Sequence, residues 1–169
     1  MKGFKAILAA DEKLGIGKDG DLAWHAPGDL SYFKRLTLGE GNNAVIMGRR
    51  TWESIPPKWR PLKSRHNIVL TTNRSFSVQE KGAEIAFDFD SALALAQPFD
   101  AIWVVGGAAL YALAFAHPKC QAIHITCIEG DFACDTFCPP FEDRFTLDEE
   151  SAVQHDHEVS YRFTVWTPR

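Results

Sequence analysis

Residues 103–116 read WVVGGAALYALAFA. Three apolar residues, two glycines and a run of good helix formers spell a buried strand, a tight turn and a helix N-terminus, in that order. The same alternation runs through the chain. FKAILAA (4–10), NAVIMG (43–48), HNIVLTT (66–72), AEIAF (83–87) and DAIWVVGG (100–107) have the short apolar character of strands. GDLSYFKRL (28–36), RRTWESI (49–55) and DSALALAQ (90–97) have that of helices, the second stopped by Pro56-Pro57. QAIHITCI (121–128), DRFTLDE (143–149) and VSYRFTVW (159–166) close the chain as strands. Strands that alternate with helices predict an α/β fold with a largely parallel sheet. The last two strands have no helix between them, which predicts an antiparallel edge there. Sites in such sheets lie at the carboxyl ends of the strands.

The bulk numbers fit one soluble domain spanning residues 1–169, with 46% hydrophobic and 24% charged residues. A net charge of −4 argues against a nucleic-acid or anionic-membrane partner. The apolar start is interrupted at once by Asp11 and Glu12, so it reads as a strand of a cytoplasmic protein and not as a leader. Cys120, Cys127, Cys134 and Cys138 lack the paired C-x-x-C spacing of a zinc site, even with His124 nearby in sequence, and read as reduced thiols with no metal.

Three stretches invite a phosphate. GIGKDG, Gly15 to Gly20, matches G-x-G-x-x-G, but no helix opens on its third glycine, and the next helix cannot begin much before Pro27. Gly106-Gly107 has the required strand, turn and helix order, with a plain packing turn as the alternative. Arg49, Arg50 and Thr51 stand where a strand ends and a helix starts; two guanidiniums there suit a phosphate monoester, and a solvated basic surface is the alternative.

On the helix after Pro27, Asp29, Phe33 and Leu36 fall on one stripe, flanked by Leu30. A carboxylate on an apolar stripe must find a partner or be neutral. A simple first-turn acid is the competing reading.

Taken together, GIGKDGDLAW, APGDLSYFKRLT, VIMGRRTWESIP, RHNIVLTT, VVGGAALY and CDTFCPP resemble the dihydrofolate reductase family, in its order and spacing over nearly the whole chain. Aspartate at position 29 resembles the bacterial branch, where animal enzymes carry glutamate. The resemblance implies a mixed, mostly parallel eight-stranded sheet flanked by about four helices. It implies NADPH-dependent reduction of 7,8-dihydrofolate to tetrahydrofolate by a monomer that also binds antifolate small molecules. Asp29 would anchor the pterin and assist its protonation through water. Trp24 would hold that water, with Leu22 close by. Ile7, Leu30, Phe33, Ile55 and Leu62 would form the slot for the pterin and its tail, Thr126 would support the Asp29 edge, and Arg65 would fork onto the tail carboxylate.

The family's glycine-rich stretch is a mobile loop, which would put Ile16, Gly17, Gly20 and Leu22 beside the cofactor. Ala9, Val105 and Tyr111 would lie near the nicotinamide, where Val105 and Tyr111 also meet the substrate. Arg49, Thr51, Gly106, Gly107, Ala108 and Ala109 would surround the pyrophosphate, with a cis bond at Gly106-Gly107, and Gly48, Leu70, Thr71 and Leu110 would also touch the cofactor. Arg50, Thr72 and Arg74 would meet the 2′-phosphate.

The chain departs from the family pattern at Ala23, Ala108, Ala109 and Cys138 and in the longer PPKWRPLKSR segment. A related reductase of riboflavin synthesis shares the fold but needs neither Arg65 nor the Trp24-to-Asp29 arrangement. A regulatory module that binds a nucleotide, or a metal through Cys127, Cys134, Cys138 and His124, is the rival from another class. His155, Asp156 and His157 read as an exposed turn.

Overall fold

The computed structural model describes residues 1–169. The sheet is built around β1 (Phe4–Ala10), β3 (Asn43–Gly48), β4 (Arg65–Leu70), β5 (Ala83–Ala86), β6 (Ile102–Val104), β7 (Cys120–Ile128) and β11 (Val159–Pro168). With β10 (Gln154–Asp156) these make eight strands side by side in the order β10-β11-β7-β1-β6-β3-β4-β5. A further strand, β9 (Phe145–Glu150), pairs with the second half of β11. The pairs from β7 through β5 are parallel, whereas β11 runs antiparallel to β7, β9 and β10. The expected mixed sheet and its antiparallel C-terminal region are therefore present.

Four helices cover the sheet: α1 (Pro27–Leu38), α2 (Arg49–Ser54), α3 (Phe89–Ala96) and α4 (Ala108–Ala116). Pro27 opens α1 because its fixed φ suits the first turn and its missing N–H loses nothing there. The buried core divides accordingly. Phe4, Ala6, Leu8, Ile46 and Ile68 join α3 and α4 on one face. Ile7, Val45, Met47, Val69 and Trp103 join Trp52 of α2 on the other, with Phe33 and Leu36 of α1 against them. Strand alternation makes this division, since successive residues point to opposite faces.

Three differences from the sequence reading concern short elements. Gly15–Gly17 forms a strand, β2, paired with β8 (Thr136–Phe137), so GIGKDG is part of a two-stranded ribbon and leads into no helix. His155 and Asp156 lie within β10, and the turn falls at His157, whose φ is 53°. Only Ile102–Val104 of DAIWVVGG pairs as a strand, because Val105 onward turns into the Gly106-Gly107 corner. No helix is long and apolar enough to cross a membrane.

Candidate active site

The parallel strand order β1-β6-β3-β4 brings four carboxyl ends into one row. Ala9, Val105–Gly107, Gly48–Thr51 and Leu70–Thr72 stand along that row, although they come from distant parts of the chain. This is where an open α/β sheet offers a crevice.

The middle of the row is a glycine corner. Gly106-Gly107 is a cis peptide. Gly48 N donates to Gly106 O at 2.7 Å, which ties the ends of β3 and β6 together. Gly106 has φ 123°, and a Cβ there would come 3.3 Å from Tyr111 Oη and 3.5 Å from Thr51 Oγ1. Tyr111 Oη in turn donates to Ile7 O at 2.7 Å, so the tyrosine braces α4 against β1. Both α2 and α4 open on glycine, Gly48 and Gly107, with no side-chain cap. Their free N–H groups therefore sit side by side at the row, an arrangement suited to a pyrophosphate.

Two of the basic side chains nearby, Arg49 and Arg74, have protein partners. Arg49 pairs with Glu53 at 3.3 Å and lies 5.2 Å from the Phe76 ring, and Arg74 lies 4.1 Å from the Phe87 ring. Arg50 and Thr72 are exposed.

On the neighbouring side of β1 lies an apolar slot. Ile7 is buried there with Phe33, Ile55, Leu62 and Val105 packed in the same cluster. Leu30 and Leu22, expected at this site, are 49% and 44% exposed. Leu62 is held from behind by Asn67, whose carboxamide accepts from Leu62 N at 2.8 Å and donates to Leu62 O at 3.0 Å. Asp29 is 9% exposed, and Thr126 Oγ1 donates to its Oδ1 at 2.6 Å. Burial raises its carboxyl above the usual range, opposed by the Thr126 bond and reinforced by the charge of Asp156. The first-turn acid thus points inward, as the stripe reading requires.

Trp24 is buried beside Phe132, and its indole N–H has no protein partner. Arg65 is half-buried; its guanidinium donates to Thr37 Oγ1 at 2.9 Å and to Lys63 O at 3.0 Å. It lies in a cleft of about 600 Å³ whose lining includes Lys58, Lys63 and Lys81 and no acidic residue.

The loop after β1 is fixed by Asp11, which the sequence marks as the end of the apolar strand without showing this task. Asp11 accepts from Lys13 N, Gly15 N and Phe132 N at 2.8–2.9 Å. Burial works against its charge, but these backbone N–H groups hold it below the ordinary value. An acid directly after an apolar strand was the available signal. Asp156 and Tyr161, which reach the start of α1, gave none. The four cysteines are free; Cys127 Sγ lies 3.8 Å from Thr164 Oγ1, and Cys134 Sγ lies 3.7 Å from Asp11 Oδ2.

A buried acid beside an apolar cluster, and a row of parallel strand ends with a glycine corner, define an open-sheet α/β protein with its candidate site at the carboxyl ends of the strands. The chain belongs to the dihydrofolate reductase family, whose model matches residues 3–168. It is 38% identical over 175 residues to a dihydrofolate reductase of Heliothis virescens, covering 95% of this chain and 94% of that one. It is 35% identical over 177 residues to the Drosophila melanogaster dihydrofolate reductase, covering 98% and 97% respectively. A bifunctional dihydrofolate reductase-thymidylate synthase of Glycine max is 38% identical over 96% of this chain, and the match spans 33% of that longer protein.

Proposed function

We propose that this protein reduces 7,8-dihydrofolate to tetrahydrofolate with NADPH, as a cytoplasmic monomer acting on small molecules. The observation that carries the reading is the buried Asp29 carboxyl, bonded to Thr126 at 2.6 Å at the end of the Ile7–Phe33 slot.

In this reading Asp29 accepts paired hydrogen bonds from the amino group and ring N–H of the pterin, a two-point match that fixes the ring's orientation. Thr126 takes one lone pair of Oδ1, which leaves a second acceptor site on that oxygen and both sites on Oδ2 to meet the ring. Ile7, Phe33, Ile55 and Leu62 exclude water along the slot, which strengthens the few polar contacts inside it. Arg65 stands beyond them with a fork suited to the tail carboxylate, and its bonds to Thr37 and Lys63 keep that fork in place.

NADPH fits the residues at the strand ends. The corner at Gly48, Gly106 and Gly107 leaves open the space that side chains would fill, next to two uncapped helix starts. Thr51, Ala108, Ala109 and Leu110 would hold the pyrophosphate there with these glycines. Ala9, Ile16, Gly17, Gly20, Leu22, Val105 and Tyr111 would border the nicotinamide. Arg50, Leu70, Thr71 and Thr72 would meet the 2′-phosphate end. Bound there, the reduced nicotinamide supplies a hydride to the pterin C=N bond.

The reduction also needs a proton on the ring nitrogen. The buried Asp29 edge favours retention of that extra proton by the acid–pterin pair. The unpartnered Trp24 N–H suits it to hold a water that carries the proton. The decisive assay is loss of NADPH absorbance on adding dihydrofolate to purified protein. No loss above the enzyme-free rate defeats the assignment.

A further inference from the structure

We propose that Asp156, on the β10–β11 hairpin, is a positioning residue for Asp29: it caps the start of α1 from outside the helix, and its negative charge tunes the acid that follows Gly28. The inference rests on the reading of Asp29 as the acid of the site.

Helix α1 begins without a cap of its own. Ala26, which precedes Pro27, has no side-chain oxygen; Asp29 N and Leu30 N both donate to Ala26 O, at 3.0 and 3.1 Å, but the Gly28 N–H finds no local partner. Asp156 supplies one across 128 residues of chain: its Oδ2 accepts from Gly28 N at 2.6 Å. The same oxygen accepts from Tyr161 Oη, also at 2.6 Å, which fixes the carboxylate against the hairpin's other strand.

Gly28 makes this approach possible. A Cβ there would lie 2.3 Å from Tyr161 Oη and 2.8 Å from Asp156 Oδ2, too close for any side chain without displacing both. Glycine is a poor helix former, so its place in the first turn of α1 is explained by what it admits. The clasp is one residue from Asp29, and any slip of the first turn would carry Asp29 away from Thr126.

The electrostatics follow the same contact. Asp29 is faced by Thr126 from β7, Asp156 and Tyr161 from the hairpin, and Tyr32 from α1; Arg35 and Glu149 act in turn on Tyr32. Asp156 is faced by Tyr161 and the Gly28 N–H, and by His25 and His157, whose rings stack 6.4 Å apart. The bonds from Tyr161 and Gly28 hold the Asp156 carboxyl below its ordinary value, so it stays ionised while Asp29 still keeps its proton. Burial and Asp156 push the Tyr161 phenol up, so it remains a donor.

The test is Asp156→Asn in the full chain. The amide oxygen still accepts from Gly28 N, but the charge is gone. The Asp29 carboxyl, followed by carbon NMR in the ligand-free protein, should titrate at lower pH than in the parent. The alkaline fall of kcat should move to lower pH with it, so kcat along that limb drops while KM for dihydrofolate changes little. Asp143→Asn removes an exposed acid elsewhere and should move neither readout. Asp156→Ala removes the cap as well, and should speed amide exchange at Gly28 by about tenfold.

An unmoved Asp29 titration in Asp156→Asn, or unchanged Gly28 exchange in Asp156→Ala, overturns the proposal. If the carboxyl titration moves and the kcat profile does not, the Asp156–Asp29 coupling stands and the role of Asp29 in the reaction is what fails.

Discussion

Thr126 Oγ1 donates to Asp29 Oδ1 over 2.6 Å, so a residue in the middle of the sheet holds the first turn of α1 in register with it. The bond does not cancel the cost of burying the acid, whose carboxyl remains raised.

That balance predicts a trade between stability and activity. Stability associated with Asp29 is fully present below its unfolded value of 3.8 and is lost as pH rises through the raised folded value. Asp29→Asn is uncharged at every pH, so it should melt at or above the parent's temperature at pH 7. Its turnover should fall by roughly 100-fold or more, because proton delivery of this kind contributes about that much. A variant that turns over like the parent would remove Asp29 from the reaction.

The half-buried Arg65 should act on binding alone. Losing a charge-assisted fork costs about 1.5–3 kcal/mol. Arg65→Leu should therefore raise the dissociation constant for dihydrofolate about 10- to 100-fold, with the dissociation constant for NADPH unchanged. Isothermal titration with each ligand separates the two.

The strand-end row predicts a cofactor preference that can be reduced in two places. Arg50→Ala should lower the ratio of kcat/KM with NADPH to that with NADH. Gly106→Ala forces a side chain onto φ 123° and to within 3.3 Å of Tyr111 Oη. It should cost about 1–3 kcal/mol in chemical denaturation and weaken binding of both cofactors alike.

His124 predicts an acid weakness. Burial, with Lys5 nearby, lowers its imidazole to about 4, and its Nδ1 has no partner. The unfolded chain takes up the proton first, so stability should fall as pH drops from about 6.5 to about 4. The shift would be worth about 3 kcal/mol in a dry site, and solvent access reduces that to about 1–2 kcal/mol. His124→Phe should flatten the curve of denaturation midpoint against pH over that range.

How far the sequence could be read depended on the range of the interactions. NAVIMG coincides with β3, and AALYALAFA with α4, because an unbroken apolar or helix-forming run bounded by glycine is local information. The inward aspect of Asp29 was legible from its spacing to Phe33 and Leu36. The pair β2 and β8 was not, since three residues and two become strands only when Gly15 meets Phe137 and Gly17 meets Thr136, from opposite ends of the chain. For the same reason His155–His157 looked like a bare turn: the Asp156–Gly28 bond that gives it a task joins opposite ends of the molecule. The aromatic partners of Arg49 and Arg74 were equally invisible, because stacking on Phe76 and Phe87 leaves no periodic trace.

The two short partners of β11 have a consequence for how molecules meet in concentrated solution. β10 covers β11 at residues 159–161 and β9 covers it at 164–168, so that flank presents two staggered fragments in place of one long rim. β9 ends in Asp148, Glu149 and Glu150, and the opposite flank is the four-residue β5. Neither side offers an incoming backbone a continuous apolar ladder to copy, so the native protein should resist edgewise polymerisation even when crowded.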